Sequence, residues 1–373
     1  MLRKIRNIYY KSINEGLVQF LKTPPYIILF ASNTCPNKCL HCWFNDEWKT
    51  KNIRENILTF DEIEKISQKI KFIHFLTITG GEAFLRKEIA EIVKVFNTNT
   101  KLNRCDIPTS GFDSDHICNK VIKILKENKN LPFRVDVSID GLADTHDFIR
   151  NHKGLFKEAC KTIEKLRQIR NLFPNFDVSV ITTISEYNNK EISELAEMIE
   201  NILPDGEWMV NIQRPPSKNP VIAFENLKAY KKASQIIQKR INRKNYYGDK
   251  AHHLGKILTV KNSLRREIIS EILQEHRTGG GCTAGSLIGV IFNDGEIRPC
   301  ESLDISFGNI RNSDYDLSSV WNNPKAKIFR QEIQDNQCIC THECVWSTNT
   351  LIQPSCWAGM IKHALGNYNM TID

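Results

Sequence analysis

Between residues 26 and 213, short apolar runs alternate with stretches in which apolar residues recur every three or four positions. The runs 26–31, 73–79, 104–109, 133–139, 176–183 and 207–213 have the length and composition of buried strands. Between them, Ile63, Ile66 and Ile70 mark one helix, Phe156, Ala159, Ile163 and Leu166 a second, and Ile192, Leu195 and Ile199 a third. Thr59 and Glu62 form a capping box at the start of the first of these. Six strands alternating with helices predict an α/β fold: a parallel sheet with right-handed crossovers, its working loops at the strand C-terminal ends.

The rhythm differs at both ends. Leu2, Ile5, Tyr9, Ile13, Leu17 and Phe20 fall at helical spacing, predicting an amphipathic helix packed on the domain within residues 1–24. Peripheral membrane contact through Arg3, Lys4, Arg6 and Lys11 is the alternative. The strand–helix core is expected over 25–215, followed by a basic helical bridge over 216–280 with helices near 222–244 and 256–276. A cysteine-bearing tail occupies 281–373. In it, "GCTAGSLIGVIFNDGEIRPC" predicts a β-hairpin turning at Asn293-Asp294-Gly295.

Composition narrows the class. The 373 residues are 41% hydrophobic and 25% charged, ordinary for a globular chain. No apolar run reaches the length of a membrane span, and no signal peptide is legible, so the chain is expected to be cytoplasmic. Fifty-one Lys and Arg against 43 Asp and Glu leave a net charge of +8, which suits an anionic substrate or an acidic redox partner. No nucleic-acid-binding signature is present, and no nucleic acid partner is expected.

Of the twelve cysteines, nine lie in two groups, 35/39/42 and 282/300/338/340/344/356. In a reducing compartment such clustering points to metal before disulfides. Cys105, Cys118 and Cys160 stand apart and read as small buried hydrophobes. Cys35-x3-Cys39-x2-Cys42 offers three thiolates on a loop after the first strand, one short of what an iron–sulfur cube takes. Zinc bound by three cysteines and His41 is the rival, although His41 would have to fold back past Cys42. One βα unit later, "LTITGGEAF" ends the second strand on Gly80, Gly81 and Glu82, where glycines let backbone approach a ligand and a carboxylate can accept from an ammonium group.

CxxxCxxC followed by Gly-Gly-Glu resembles the radical S-adenosylmethionine superfamily, from about residue 24 to 213 and on into the tail. The resemblance implies a partial (β/α)6 barrel in which Cys35, Cys39 and Cys42 carry a [4Fe–4S] cluster. S-adenosylmethionine would take the fourth place, chelating the unique iron. It also implies that His41 lies beside the adenine and that Thr79, Gly80, Gly81 and Glu82 hold the methionine amine. Ser138 and Asp140, ending "RVDVSIDG", would meet the ribose or carboxylate, and Thr109 and Ser110 of "PTSG" the cofactor or substrate. Arg150 of "DFIRNHKGLF" matches a carboxylate-binding arginine, although Asn151 stands where the family has glycine. Reductive cleavage would give a 5′-deoxyadenosyl radical that takes a hydrogen atom from a substrate carbon, with a flavodoxin- or ferredoxin-type protein as reductant.

The tail resembles the SPASM and twitch extensions of the same superfamily, a small cysteine-rich hairpin-and-helix domain holding auxiliary [4Fe–4S] clusters. Cys282, Cys300, Cys338, Cys340, Cys344 and Cys356 are its candidate ligands. Six thiolates allow one complete cluster or two incomplete ones, with His342 or Glu343 as further donors and structural zinc as the alternative. Auxiliary clusters suit a reaction that must dispose of an electron, so the expected function is oxidation of a small-molecule or carbohydrate-like, anionic substrate. The alternatives are a peptide maturase and an epimerase using a cysteine hydrogen donor. Only 34 residues precede Cys35, too few for the leader-binding module that many peptide maturases carry, and this tips the expectation towards a small molecule.

Overall fold

The computed structural model describes residues 2–42, 56–214, 219–244, 255–275, 281–335 and 340–365. The six predicted strands form as β1 (Tyr26–Ser32), β2 (Phe75–Gly80), β3 (Cys105–Thr109), β4 (Phe133–Ser138), β5 (Phe176–Ile184) and β6 (Glu207–Ile212). Neighbours in this series pair in parallel. Every residue of β1 and of β4 is buried, as expected for strands covered on both faces.

The crossover helices are α2 (Phe60–Gln68), α3 (Ile89–Asn99), α4 (Ser114–Glu127), the pair α5 (Ala143–Arg150) and α6 (Leu155–Arg170), and α7 (Ile192–Ile202), with α1 (Leu2–Leu21) ahead of the sheet. Each crossover turns an apolar stripe to the sheet: Ile89, Ile92, Val93 and Phe96 of α3, and Ile192, Leu195 and Ile199 of α7, are all buried. The capping box forms in both directions, Thr59 Oγ1 accepting from Glu62 N (3.2 Å) and Glu62 Oε2 from Thr59 N (2.8 Å). Glu62 also binds Arg311 and Tyr315, tying α2 to the tail. Hydrogen bonding from Arg311, joined by the backbone of Thr59, outweighs desolvation and holds the Glu62 carboxyl at about 2.

Beyond the core come α8 (Pro220–Lys244) and α9 (Gly255–Glu275), then β7 (Ile288–Ile291), β8 (Glu296–Arg298) and β9 (Gly308–Asn309). The chain ends in α10 (Leu317–Trp321), α11 (Pro324–Glu332), α12 (Glu343–Ile352) and α13 (Pro354–Leu365). The predicted hairpin is β7–β8. It does not stand apart: β7 pairs in parallel with β1, Tyr26 opposite Ile288, and extends the main sheet. Among the described residues the sheet therefore has nine strands, in the order β9-β8-β7-β1-β2-β3-β4-β5-β6. Its end strands do not pair with each other, so the barrel is open.

α1 docks on this hairpin. Asn14 is buried, donating to the Cys282 carbonyl (3.0 Å) and accepting from Ser286 Oγ (2.8 Å). Tyr10 packs with Leu287 and Ile352. Phe20, expected on the packed stripe, is exposed. No described helix is long and apolar enough to cross a membrane.

One face of the sheet is polar. Arg134 of β4 binds Asp106 on β3 (2.9 Å), Asp136 on its own strand (2.8 Å) and Glu207 on β6 (2.8 Å). Asn262 of α9 covers this face and donates to Glu207 (3.2 Å). Buried charges persist where partners compensate their lost hydration, and here they line the interior of the open barrel.

Candidate active site

The cysteine loop leaves the C-terminal end of β1. Its position is set by backbone: Gly81 N donates to Ser32 O (2.9 Å) and Glu82 N to Thr34 O (2.8 Å), seating the Gly-Gly-Glu turn against the loop. Gly80 adopts φ +131°, and a Cβ there would lie 2.1 Å from Ser32 O. Replacing Gly80 by Ala should cost at least ~3 kcal/mol, because strain and backbone overlap act together. Gly154 also has a positive φ, but nothing lies within 4 Å of its added Cβ. Its Ala variant should lose only ~1 kcal/mol. Urea midpoints at unchanged m-value check both.

Cys39 is buried; Cys35 and Cys42 are half-buried. α5 clamps the loop from the other side. Leu40 N donates to Ile149 O (2.8 Å), His152 Nδ1 lies 2.6 Å from Asn37 Oδ1, and Arg150 Nη1 donates to Cys39 Sγ (3.7 Å). Burial pushes the Cys35 thiol up to about 12, and the negative charges of Glu82, Cys39 and Cys42 push the same way. Burial also raises Cys39, with Arg150 opposing.

Behind the loop, Asp140 is fully buried. Its Oδ2 accepts from Arg150 Nε (2.6 Å) and its Oδ1 from Thr183 N (2.8 Å). Burial raises its carboxyl, but Arg150 more than offsets that and holds it below the ordinary range. His41 Nε2 lies 3.7 Å from Asp140 Oδ2. Burial drives His41 down to about 4 despite Asp140, leaving a neutral ring. Glu82 is buried and spends its carboxylate within the chain. Oε1 accepts from Thr109 Oγ1 (2.9 Å), and Oε2 from Ser110 N (2.9 Å) and Oγ (2.8 Å). Burial raises its pKa against those bonds.

Cys35, Cys39, Cys42, His41, Thr79, Gly80, Gly81, Glu82, Thr109, Ser110, Ser138, Asp140 and Arg150 thus share the C-terminal ends of β1–β4 and the segments that follow them. The partners of Glu82 lie on the next strand and were not legible in sequence. Nor was the polar face, although the alternation Arg134, Asp136, Ser138, Asp140 carries it.

The described tail cysteines flank the β7–β8 hairpin or lie on or just before α12 and α13. Cys344 lies among Tyr26, Glu301 and Arg214, and burial pushes its thiol up to about 12. Cys340 accepts from His342 N (3.3 Å) and adds its charge at Arg214. Cys300 is buried beside Glu301, while Cys282 is bracketed by Asn14 and Gln334. Cys356 Sγ donates to Gln353 Oε1 (3.7 Å) and feels the charges of Glu267 and Glu271 of α9. Cys338 lies outside the described residues. His342 is engaged on both ring nitrogens, Nδ1 accepting from Cys344 N (3.2 Å) and Nε2 paired with Glu301. Glu343 accepts from Ile212 N (3.2 Å), and burial pushes its carboxyl up to about 7. Of the isolated cysteines, Cys105 and Cys118 are buried and Cys160 half-buried.

Among the described residues no three His, Cys, Asp or Glu side chains converge on a single ion. A cube takes its thiolates at separate iron corners, so the first loop fits a cluster in donor type and count. Uncompensated, three adjacent thiolates would repel, and bound iron relieves that. Among the described residues the buried His41 Nδ1 and Asn37 Nδ2 have no hydrogen-bond partner, as expected of atoms that a bound cofactor satisfies.

An open parallel α/β sheet with three cysteines after its first strand and a cysteine-rich hairpin extending the same sheet defines an iron–sulfur protein class. Residues 29–199 match the radical SAM superfamily, and residues 282–345 match the SPASM iron–sulfur cluster-binding domain. The chain belongs to the radical SAM enzyme superfamily and carries a SPASM domain; its cofactors are S-adenosylmethionine and iron–sulfur clusters. It is similar to the sporulation killing factor maturation protein SkfB of Bacillus subtilis, 28% identical over 71% of this chain and 57% of SkfB. It is also similar to the AdoMet-dependent heme synthase of Methanosarcina barkeri, 24% identical over 88% of this chain and 92% of that protein. The fold resembles that of Streptococcus suis SuiB bound to precursor peptide SuiA, with TM-score 0.58, 14% identity and coverage of 86% of this chain and 70% of SuiB.

Proposed function

We propose that the chain is a peptide-modifying maturase that acts on a C–H bond of a precursor peptide. The likeness to SkfB, a maturation protein, carries this reading, and it is favoured over the small-molecule oxidation expected from the sequence. When bound, the cofactors supply one-electron cleavage of S-adenosylmethionine and an acceptor for a substrate hydrogen atom.

The chain's own residues bind and orient. Cys35, Cys39 and Cys42 supply the cluster thiolates, with the Arg150 N–H steadying the sulfur of Cys39. Asp140 fixes Arg150 and lies beside the neutral His41 ring, which offers a flat uncharged surface for an adenine. Glu82 locks β2 to β3 through Thr109 and Ser110, so the Gly80–Gly81 backbone presents a rigid edge to the methionine end of the cofactor. Thr79 and Ser138 lie on the same strand ends. In the tail, Cys282, Cys300, Cys338, Cys340, Cys344 and Cys356 would supply auxiliary ligands, with Cys344 beside Tyr26 of β1. Because His342 and Glu343 are tied to Glu301 and Ile212, the thiolates carry that role.

A second reading has one observation behind it: the heme synthase likeness runs nearly the whole length of both chains. The two separate in one assay. Anaerobic holoenzyme is given dithionite, S-adenosylmethionine and either synthetic peptides encoded by short reading frames flanking its gene or iron coproporphyrin. The expected result is a mass change in one peptide, coupled to 5′-deoxyadenosine. Turnover of the porphyrin with every peptide unchanged overturns the proposal.

A further inference from the structure

The interior of the open barrel is hollow along several strands. Thr77 and Thr79 of β2, Ile181 and Thr183 of β5, and Met209 and Asn211 of β6 are half-buried, whereas the residues between them are buried. Met209 identifies this side as the charged one, since its sulfur accepts from Arg134 (3.5 Å). At the N-terminal ends of the strands the helical bridge covers the interior. Lys261 and Arg265, one turn apart on α9, both meet α12. Lys261 Nζ donates to Ser347 Oγ (2.6 Å) and Arg265 Nη1 to the Glu343 carbonyl (3.5 Å). Arg266 donates to Ser263 Oγ (3.0 Å). Among the described residues none of these three cations bonds a carboxylate, and Arg265 Nε, Arg266 Nε and the Tyr230 hydroxyl are buried with no partner.

The acids nearby are already engaged. Asp106 is held by Arg104 and Arg134, Asp136 by Arg134 and Ser179, and Glu207 by Arg134 and Asn262. Glu343 turns its carboxylate to Ile212 N. Burial, then Arg265 and Arg104, push the Lys261 amine down to about 7, with Glu207 opposing. Cations desolvated together, with donors in excess of acceptors, are stable when an anion completes them.

We infer that Lys261 and Arg265 form a carboxylate-binding subsite at the floor of the barrel interior, anchoring an acidic group of the substrate. The identity of that group rests on the peptide reading above: an Asp or Glu side chain of the precursor, or its C-terminal carboxylate. A guanidinium fork and an ammonium side by side suit both oxygens of such a group. At a strand rise of about 3.3 Å per residue, Arg134 stands roughly 20 Å down the sheet from Asp140. An extended peptide covers that span in about six residues, so the anchored carboxylate sets which C–H bond reaches the cysteine-loop end.

Two arms test the subsite. In the first, unfolding midpoints of the holoenzyme are compared in propionate and in its neutral counterpart propionamide, at matched ionic strength. Propionate should raise the midpoint above that in propionamide, and the double variant Lys261→Met/Arg265→Met should abolish the difference. In the second, the peptide that gains mass in the assay above is compared with forms amidated at each acidic side chain in turn or at the C-terminus. One amidated form should show a KM raised about tenfold or more, as for a lost charge-assisted bond. Lys261→Met should raise KM similarly for the parent peptide, but about twofold or less for that amidated form. The position of the effective amide separates a side chain from the C-terminus. Propionate acting no better than propionamide overturns the subsite. So does a Lys261→Met penalty that is equal on charged and amidated peptides. If no peptide is modified, the peptide reading falls, and the propionate arm still decides the subsite.

Discussion

Replacing Cys35, Cys39 and Cys42 together by alanine is expected to remove about four iron atoms per chain and to lower 5′-deoxyadenosine release at least ~10³-fold. The effect is large because no other described group at these strand ends can replace the thiolates: Glu82 is committed to Thr109 and Ser110, and Asp140 to Arg150 and Thr183. The sheet should survive, since β1 is held by β2 and β7 on its two sides and the loop adds little to the buried core. Circular dichroism should therefore match the parent while iron and activity fall. The iron that remains counts the auxiliary clusters directly, at about four atoms for one and about eight for two.

The second large effect is on stability. Arg150→Ala leaves the Asp140 carboxylate fully buried beside a neutral His41, with its main compensating charge gone. Breaking such a pair from one side costs about 3–5 kcal/mol. Adding Asp140→Asn removes the stranded charge, so the double variant should recover most of that loss. The coupling between the two sites should exceed ~1 kcal/mol, as for residues in direct contact. Urea unfolding of the metal-free chain reads this without interference from cofactor binding. Additive losses would mean that Arg150 and Asp140 do not form the pair described.

How far these features could be read in advance depended on whether they are local in the chain. The strands and their helices follow from periodicity, and the box at Thr59 and Glu62 from a four-residue pattern. The cysteine loop and the Gly-Gly-Glu turn are each contiguous, and so were visible. What escaped was pairing between distant segments. Nothing in "LIGVIF" says that it will lie beside Tyr26 and lengthen the sheet, and nothing near Glu82 names Ser110 as its partner. The charged interior was half visible, because Arg134, Asp136, Ser138 and Asp140 alternate with Val135, Val137 and Ile139. Read one strand at a time, that alternation suggests solvent on one side; its neighbours Asp106 and Glu207 turn the polar side into the inner wall of the open barrel.

In the reading proposed above, the substrate expectation is outweighed for a related reason. Net charge and the short stretch ahead of Cys35 are properties of the whole chain, and neither reports the shape of the cavity that a substrate meets. Likeness to a maturation protein weighs more, because it follows the arrangement of the core itself.

The most direct measurement is anaerobic incubation of the iron-loaded chain with dithionite and S-adenosylmethionine, followed by quantification of 5′-deoxyadenosine and methionine. Equal amounts of the two, absent from the Cys35/Cys39/Cys42 variant, are predicted. Zinc in place of iron at that loop, or intact S-adenosylmethionine after prolonged reduction, would contradict the account.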